Sequence, residues 1–306
     1  MSSISGKSKL GAQGGRPPAA VELMPEGVLA AALPGKGASP VYAFAPLAAG
    51  TLVPGIDQAN LRAPEAVTHA IKSALSDLSQ RARHVTLVLP DVALRVFVLD
   101  FDSLPTKPAE VLAVLRFRLR KMVPFDVEKA GVSYQMLSEE RSECRVLIAV
   151  LPGPILDEYE NAVRAAGLEP GAVVPSSLAA LAVLENDAPA LTACFSGVSL
   201  TTTITRGDDL LLYRTLELPG DPAQRLAEVQ KDIAVAAAYY EDKLATRAQQ
   251  LYYGGVGDAD EFARWVQLGS GEMKVVELVP RPTTGAATAL GKMNFAGVTG
   301  ALAGAA

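Results

Sequence analysis

Cysteine, histidine and tryptophan are nearly absent from this chain: two, two and one among 306 residues. Cys144 and Cys194 lie far apart without a CxxC spacing. That argues against a disulfide framework or a zinc site and makes a reducing cytosol the default compartment. His69 and His84 form no HExxH or other ligand pattern, so no metal site is expected. Long apolar runs are missing too. The last one, Phe295 to Ala306, falls far short of the ~20 residues of a transmembrane helix, and no direct membrane span is expected. The first 16 residues, rich in Ser, Gly, Lys and Ala, lack the apolar segment of a secretory signal and read as a disordered tail. An excess of positive charge is also lacking. The net charge of -5 argues against a general nucleic-acid binder.

What remains is a globular composition, 49% hydrophobic and 20% charged, long enough for roughly two domains of about 150 residues each. Ala19–Leu23 and Gly27–Ala32 read as a hairpin around Pro25-Glu26, and Val41–Leu47 as a further strand. Apolar residues at Val67, Ile71, Ala74, Leu75 and Leu78 have helical spacing over Pro64–Arg81. Strands are expected at His84–Leu89, Leu94–Asp100, Gly131–Leu137 and Cys144–Leu151. Ile155–Ala166 reads as a helix closed by Gly167. Pro175–Leu184 reads as another, capped by Ser176 or Ser177, neither of which has a His in a triad-like context. After a polar stretch at Glu185–Ala190 a second unit begins, with strands at Leu191–Phe195, Ser199–Thr205 and Leu210–Leu216. Arg206-Gly207-Asp208 makes the turn between the last two. A long helix follows over Pro222–Thr246, then a strand into Gly254-Gly255, a helix at Glu261–Leu268, a strand at Lys274–Leu278 and a final Ala/Gly-rich helix.

Val96 to Tyr134 is the most informative stretch. A strand ends at Leu104-Pro105, and a basic helix over Pro108–Val123 stops at Val123-Pro124-Phe125-Asp126. At about 100° per residue, Val111, Leu112, Leu115, Leu119 and Met122 share one arc, with Arg116 and Arg120 on one side and Arg118 and Lys121 on the other. The plain reading is a surface helix with a solvated basic face. The functional reading is a docking surface for an acidic or amphipathic peptide or for anionic lipid. Asp100 and Asp102 are candidate partners for Arg116 or Arg120. Tyr239, Tyr240 and Trp265 read as core.

The sequence LP, Glu, Arg-rich helix and VPF with trailing acids resembles the type IV pilus assembly protein PilM family. YAFAPLAAGTLVPGI and LVLPDVALRVFVLD upstream, LIAVLPGPILDEYENAVRAAGLEPGAVVPSSLAALAVL downstream, and LYYGGVGD later are similar to that family in order and spacing. The likeness covers roughly residues 19 to 303. It implies an α/β, actin-like (ribonuclease H-like) two-lobed fold with an FtsA-type inserted subdomain in the first lobe. The implied division is 1–16 tail, 17–84 plus 166–188 first lobe, 85–165 inserted subdomain and 189–306 second lobe. The family binds ATP and the short cytoplasmic tail of an inner-membrane protein, PilN, in a groove beside the inserted subdomain. The resemblance thus implies a scaffold rather than a turnover enzyme.

An actin-like nucleotide site needs two phosphate hairpins with close Gly/Ser amides and a carboxylate for Mg²⁺. The family's first hairpin, approximately D-I-G-x-x-x-x-K, is here Ala20-Val21-Glu22-Leu23-Met24-Pro25-Glu26-Gly27. Its Gly-Ser run and Lys are lost, and Pro25 removes an amide donor. The second, approximately D-I-G-A-E-x-T, becomes Cys194 to Ser199 and keeps only Ser196, Gly197 and Ser199. The adenosine turn survives as Gly254-Gly255. These five residues form a vestigial nucleotide site, with no residue left to hold metal or orient water. No catalytic residue and no cofactor are expected; weak ATP binding without turnover stays open. The expected function is a cytoplasmic scaffold at the inner membrane through a partner. It would bind a PilN-type tail and other pilus assembly components, with Arg116, Arg120, Pro124 and Phe125 at the contact. The alternatives are an ATP-binding module whose occupancy controls partner binding, and the cytoplasmic domain of a GspL-type secretion platform protein.

Overall fold

The computed structural model describes residues 16–35, 37–78, 83–140, 143–184, 187–268, 273–281 and 293–303. The expected tail, apart from Arg16, lies outside them. In chain order the elements begin with β1 (Ala19–Met24), β2 (Gly27–Ala32), β3 (Val41–Pro46), α1 (Pro64–Ser76) and β4 (His84–Leu89). Next come β5 (Arg95–Phe101), α2 (Pro108–Leu119), β6 (Gly131–Glu140), β7 (Glu143–Leu151), α3 (Gly153–Ala165), β8 (Glu169–Pro175) and α4 (Ser176–Ala180). The second half holds β9 (Ala190–Phe195), β10 (Ser199–Arg206), β11 (Asp209–Glu217), α5 (Pro222–Leu244), β12 (Gln250–Gly255), α6 (Ala259–Trp265), β13 (Lys274–Glu277) and α7 (Ala296–Leu302).

Two five-stranded sheets share one plan. The first runs β3-β2-β1-β4-β8 and the second β11-β10-β9-β12-β13. In each, three antiparallel strands are followed by two strands that run parallel to the first. β1 and β2 are buried along almost their whole length. Strands apolar on both faces must be covered on both, and these are. α1 and α3 lie on one face, packing Ile71, Ala74, Tyr159 and Val163 against Val21, Leu23 and Leu87. α4 and α7 lie on the other, packing Ala179, Val298, Ala301 and Leu302 against Ala20, Leu29 and Val88. In the second lobe, α5 places Val229, Ile233, Ala236 and Tyr240 on Leu191, Leu200 and Leu251.

Helix starts follow from local chemistry. Pro64, Pro108 and Pro222 sit in the first turn of α1, α2 and α5, where the missing N–H leaves no bond unmade. Asp221 accepts from Gln224 N, and Asp258 and Glu261 form a reciprocal capping box on α6.

β5, β6 and β7 make a third, separate sheet of order β5-β7-β6. One face carries α2. The other meets α4 of the first lobe and β11 of the second through Val96, Val98, Leu147, Leu178, Leu210 and Tyr213.

The structure corrects several expectations. β4 belongs to the first sheet and α3 covers it, so the inserted unit runs from β5 to β7, narrower than 85–165. β8, which was not expected as a strand, pairs parallel to β4 through Val173 and Val174; its Pro and Gly masked the pattern. α4 ends at Ala180 and continues as a 3-10 turn, Leu181–Val183. Neither Ser176 nor Ser177 caps it through its side chain. The helix from Pro64 ends at Ser76, and the last part of its expected range, 79–81, lies outside the described residues. α7 follows the second lobe in sequence yet packs on the first.

Candidate functional site

The C-terminal ends of β9 and β12 lie side by side, with Gly254 opposite Cys194 and Gly255 opposite Phe195. Parallel pairing thereby brings the five residues of the expected vestigial nucleotide site to one place between the lobes. The turn after β9 is internally bonded. Ser196 N donates to Ser199 O at 3.0 Å, and Ser199 N donates to Ser196 Oγ at 3.1 Å. Gly197 takes a left-handed φ of 83°, which favours glycine. At Gly255 a side chain would strike the Tyr253 hydroxyl and the Phe195 carbonyl.

Arg281 stands in the Gly254–Gly257 turn. Its guanidinium donates to Gly255 O at 3.1 Å, to Gly257 O, to Met293 O at 3.1 Å and to Glu277 Oε1 at 3.1 Å. Glu277 in turn accepts from Ala259 N at the start of α6. The recess lined by Gly254, Gly255, Glu277, Arg281, Asn294 and Phe295 has a volume of about 10 Å³. A ligand of nucleotide size needs several hundred Å³, more than this recess by itself offers.

Two carboxyl groups, Glu22 buried and Asp91 half-buried, lie deeper in the interlobe region. Glu22, on the face of β1 that meets α7, is 3% exposed and accepts from Ser176 Oγ at 2.5 Å. Burial, opposed by that hydrogen bond and reinforced by the charge of Asp91, pushes its carboxyl up to about 7. Asp91, in the 3-10 turn after β4, accepts from Ser177 N (3.1 Å), Ser177 Oγ, Thr201 Oγ1 (3.3 Å) and Tyr213 Oη (3.2 Å). It thereby ties the first lobe to β10 and β11 of the second. Burial raises its proton affinity and these four bonds lower it. Cys194 is buried, and burial with the nearby Asp91 charge pushes its thiol up to about 12, which makes it an inert thiol. Among the described residues no group of three or more His, Cys, Asp or Glu side chains is placed to hold a metal ion.

The partner residues expected on the inserted unit separate. α2 buries Val111, Leu115 and Leu119, while Met122 turns outward. Arg116 is half-buried and donates to Val127 O and to Ala130 O (3.1 Å). The loop after α2 is fastened by this side chain. Arg120 pairs in solvent with Glu128 at 2.7 Å. Asp100 pairs with Arg145, not with Arg116 or Arg120. Pro124 is exposed, and Phe125 packs at the rim of the α2 core. Phe125 also lines a recess of about 300 Å³ with Ile56, Lys129, Pro154 and Glu158.

A groove of about 250 Å³ runs between the inserted sheet and the first lobe. Its walls are β6 (Gly131, Val132, Ser133) and β8 (Val173, Val174), and its floor includes Leu94, Ala149, Leu151 and Leu156. Among the described residues β6 and β8 are each the last strand of their sheet, so each presents a strand edge.

Sequence reasoning missed Asp91 and Arg281. Asp91 falls between two expected strands with nothing local to mark it, and its partners come from positions 86 to 122 residues away. Arg281 was not singled out, because nothing in the sequence links it to Gly255.

No protein-family model matches this chain, and no curated protein matches its sequence. Solved structures do match. The chain superposes on a chain of a PilM-PilN type IV pilus biogenesis complex with a TM-score of 0.75 and 19% identity, covering 94% of this chain and 98% of that one. The cytoplasmic domain of EpsL, an inner membrane component of the type II secretion system of Vibrio cholerae, gives a TM-score of 0.52 and 12% identity, covering 85% and 88%. A Bacteroides thetaiotaomicron protein with actin-like ATPase fold and unknown function gives 0.48 and 12% identity, covering 84% and 90%. At these identities the likeness establishes the fold, which is actin-like and two-lobed.

Proposed function

We propose that this chain is an actin-like scaffold that captures an extended peptide tail of a membrane-anchored, PilN-type partner, and that it works without nucleotide turnover. The observation that carries the reading is the groove with strand edges on two walls and an apolar floor. An edge strand offers unpaired N–H and C=O groups, so a tail can add to β6 or β8 by backbone hydrogen bonds. Apolar side chains of the tail would rest against Leu151, Leu156 and Val173. Arg120, Pro124 and Phe125 extend the contact surface around the neighbouring recess. Arg116 supports that surface from behind by fixing the Val127–Ala130 loop. The likeness to the PilM chain of a PilM-PilN complex supports the class of partner.

The internal bonds of the Ser196–Ser199 turn and the Arg281 guanidinium in the glycine turn support a scaffold without nucleotide. A secretion-platform role is the second reading, favoured by the likeness to EpsL. The test is fluorescence anisotropy with a labelled peptide of the N-terminal tail of the organism's PilN-type protein. Val173→Arg in the groove is expected to weaken binding at least tenfold with unchanged circular dichroism, and Mg-ATP to change nothing. Equal binding by wild type and Val173→Arg removes the groove from the proposal. An ATP-dependent affinity makes the protein a nucleotide switch.

A further inference from the structure

We propose that the outward face of α2 is an interfacial contact for an anionic bilayer surface. This stands apart from the groove reading, since the face lies on the other side of the inserted sheet from the second lobe. α2 buries Val111, Leu115 and Leu119 against that sheet. An arc centred about 110° round the helix from the buried one holds Glu110, Val114, Phe117 and Arg118, with Lys107 just before the helix and Lys121 just after it. Phe117 is 65% exposed, and Val114 and Met122 are 36% and 37% exposed. Among the described residues no apolar cluster takes up this ring.

Charge picks the occupant. The segment from Lys107 to Pro124 holds five basic side chains and one acidic one, in a chain of net charge -5. Lys107 and Arg120 are engaged with Glu110 and Glu128. Among the described residues Arg118 and Lys121 form no ion pair, and both are exposed. An exposed aromatic and an exposed aliphatic side chain beside two cations without an ion-pair partner suit a contact with a headgroup layer. α2 forms the layer of the inserted unit away from the second lobe, where an extended surface such as a bilayer can reach it. The cations would meet lipid phosphates while Phe117 and Val114 enter the interface.

The probe is vesicle sedimentation of the full chain at 0.1 M salt, with phosphatidylglycerol–phosphatidylcholine vesicles and with pure phosphatidylcholine vesicles. Partition is expected only with the anionic vesicles, and is expected to fall at 0.5 M salt. Arg118→Gln with Lys121→Gln is expected to lower partition about thirtyfold, from roughly fivefold per lost cation. Phe117→Ser is expected to lower it about tenfold, from the burial of one aromatic side chain. All three positions are exposed, so circular dichroism should be unchanged. Absence of partition, or partition indifferent to both variants, overturns the proposal. So does wild-type binding to polyglutamate or self-association lost in Phe117→Ser without vesicle binding, which would assign the face to an acidic protein or a second copy. Tail-peptide binding should survive both variants, so failure here is distinct from failure of the groove.

Discussion

Replacing Glu22 by Gln tests how the buried interlobe carboxyl shapes stability. Glu22 sits between β1 and α7 with Ser176 as its hydroxyl donor, and its carboxyl is raised from 4.5 to about 7, chiefly by burial. Between these two values the folded chain keeps a proton that the unfolded chain has released. Stability therefore falls as pH rises through that window, and the loss is complete above it. At about 1.4 kcal/mol per pK unit the loss is on the order of 3 kcal/mol. Gln has the same shape, keeps an oxygen for Ser176 and does not titrate. Urea unfolding of both proteins at pH 5 and pH 8.5 gives a double difference in which the other titrating groups cancel. Because part of the loss has already occurred at pH 5, wild type is expected to lose about 2.5 kcal/mol more than Glu22→Gln on going to pH 8.5. Parallel pH dependences would refute the reasoning, because they would mean that Glu22 carries the same charge in both states.

Two further substitutions separate fastening residues from surface ones. Arg116→Met strips Val127 O and Ala130 O of their donor and is expected to cost about 3 kcal/mol in urea unfolding, with faster amide exchange over 127–131. Arg120→Met breaks only an exposed pair and should cost less than about 1 kcal/mol. Gly300→Ala places a methyl group against the Ala179 carbonyl where α7 crosses α4. It is expected to destabilise by roughly 1–3 kcal/mol and lower the melting temperature.

By itself the sequence determined what depends on neighbours in the chain. The β1–β2 hairpin, the α5 period, the Pro and Asp helix starts and the basic helix after Leu104-Pro105 are all local patterns. Sequence resemblance then placed the chain in a two-lobed, actin-like plan with an insertion, which the structure carries. The departures from the resembled family's hairpin patterns, such as Pro25, Cys194 and Val198, were equally visible, since they are a matter of residue identity. Tertiary structure decided whatever depends on distant segments meeting. β8 became a strand because β4 offered it an edge, despite Pro170 and Gly171. Arg116 turned inward because two carbonyls eleven and fourteen residues on needed a donor. Asp91 became a tie between lobes, and Arg281 entered the glycine turn, because the sheets bring together residues that the sequence keeps apart. Buried polar groups must find partners wherever the fold places them, and that requirement, unlike helical spacing, leaves no mark in a single sequence.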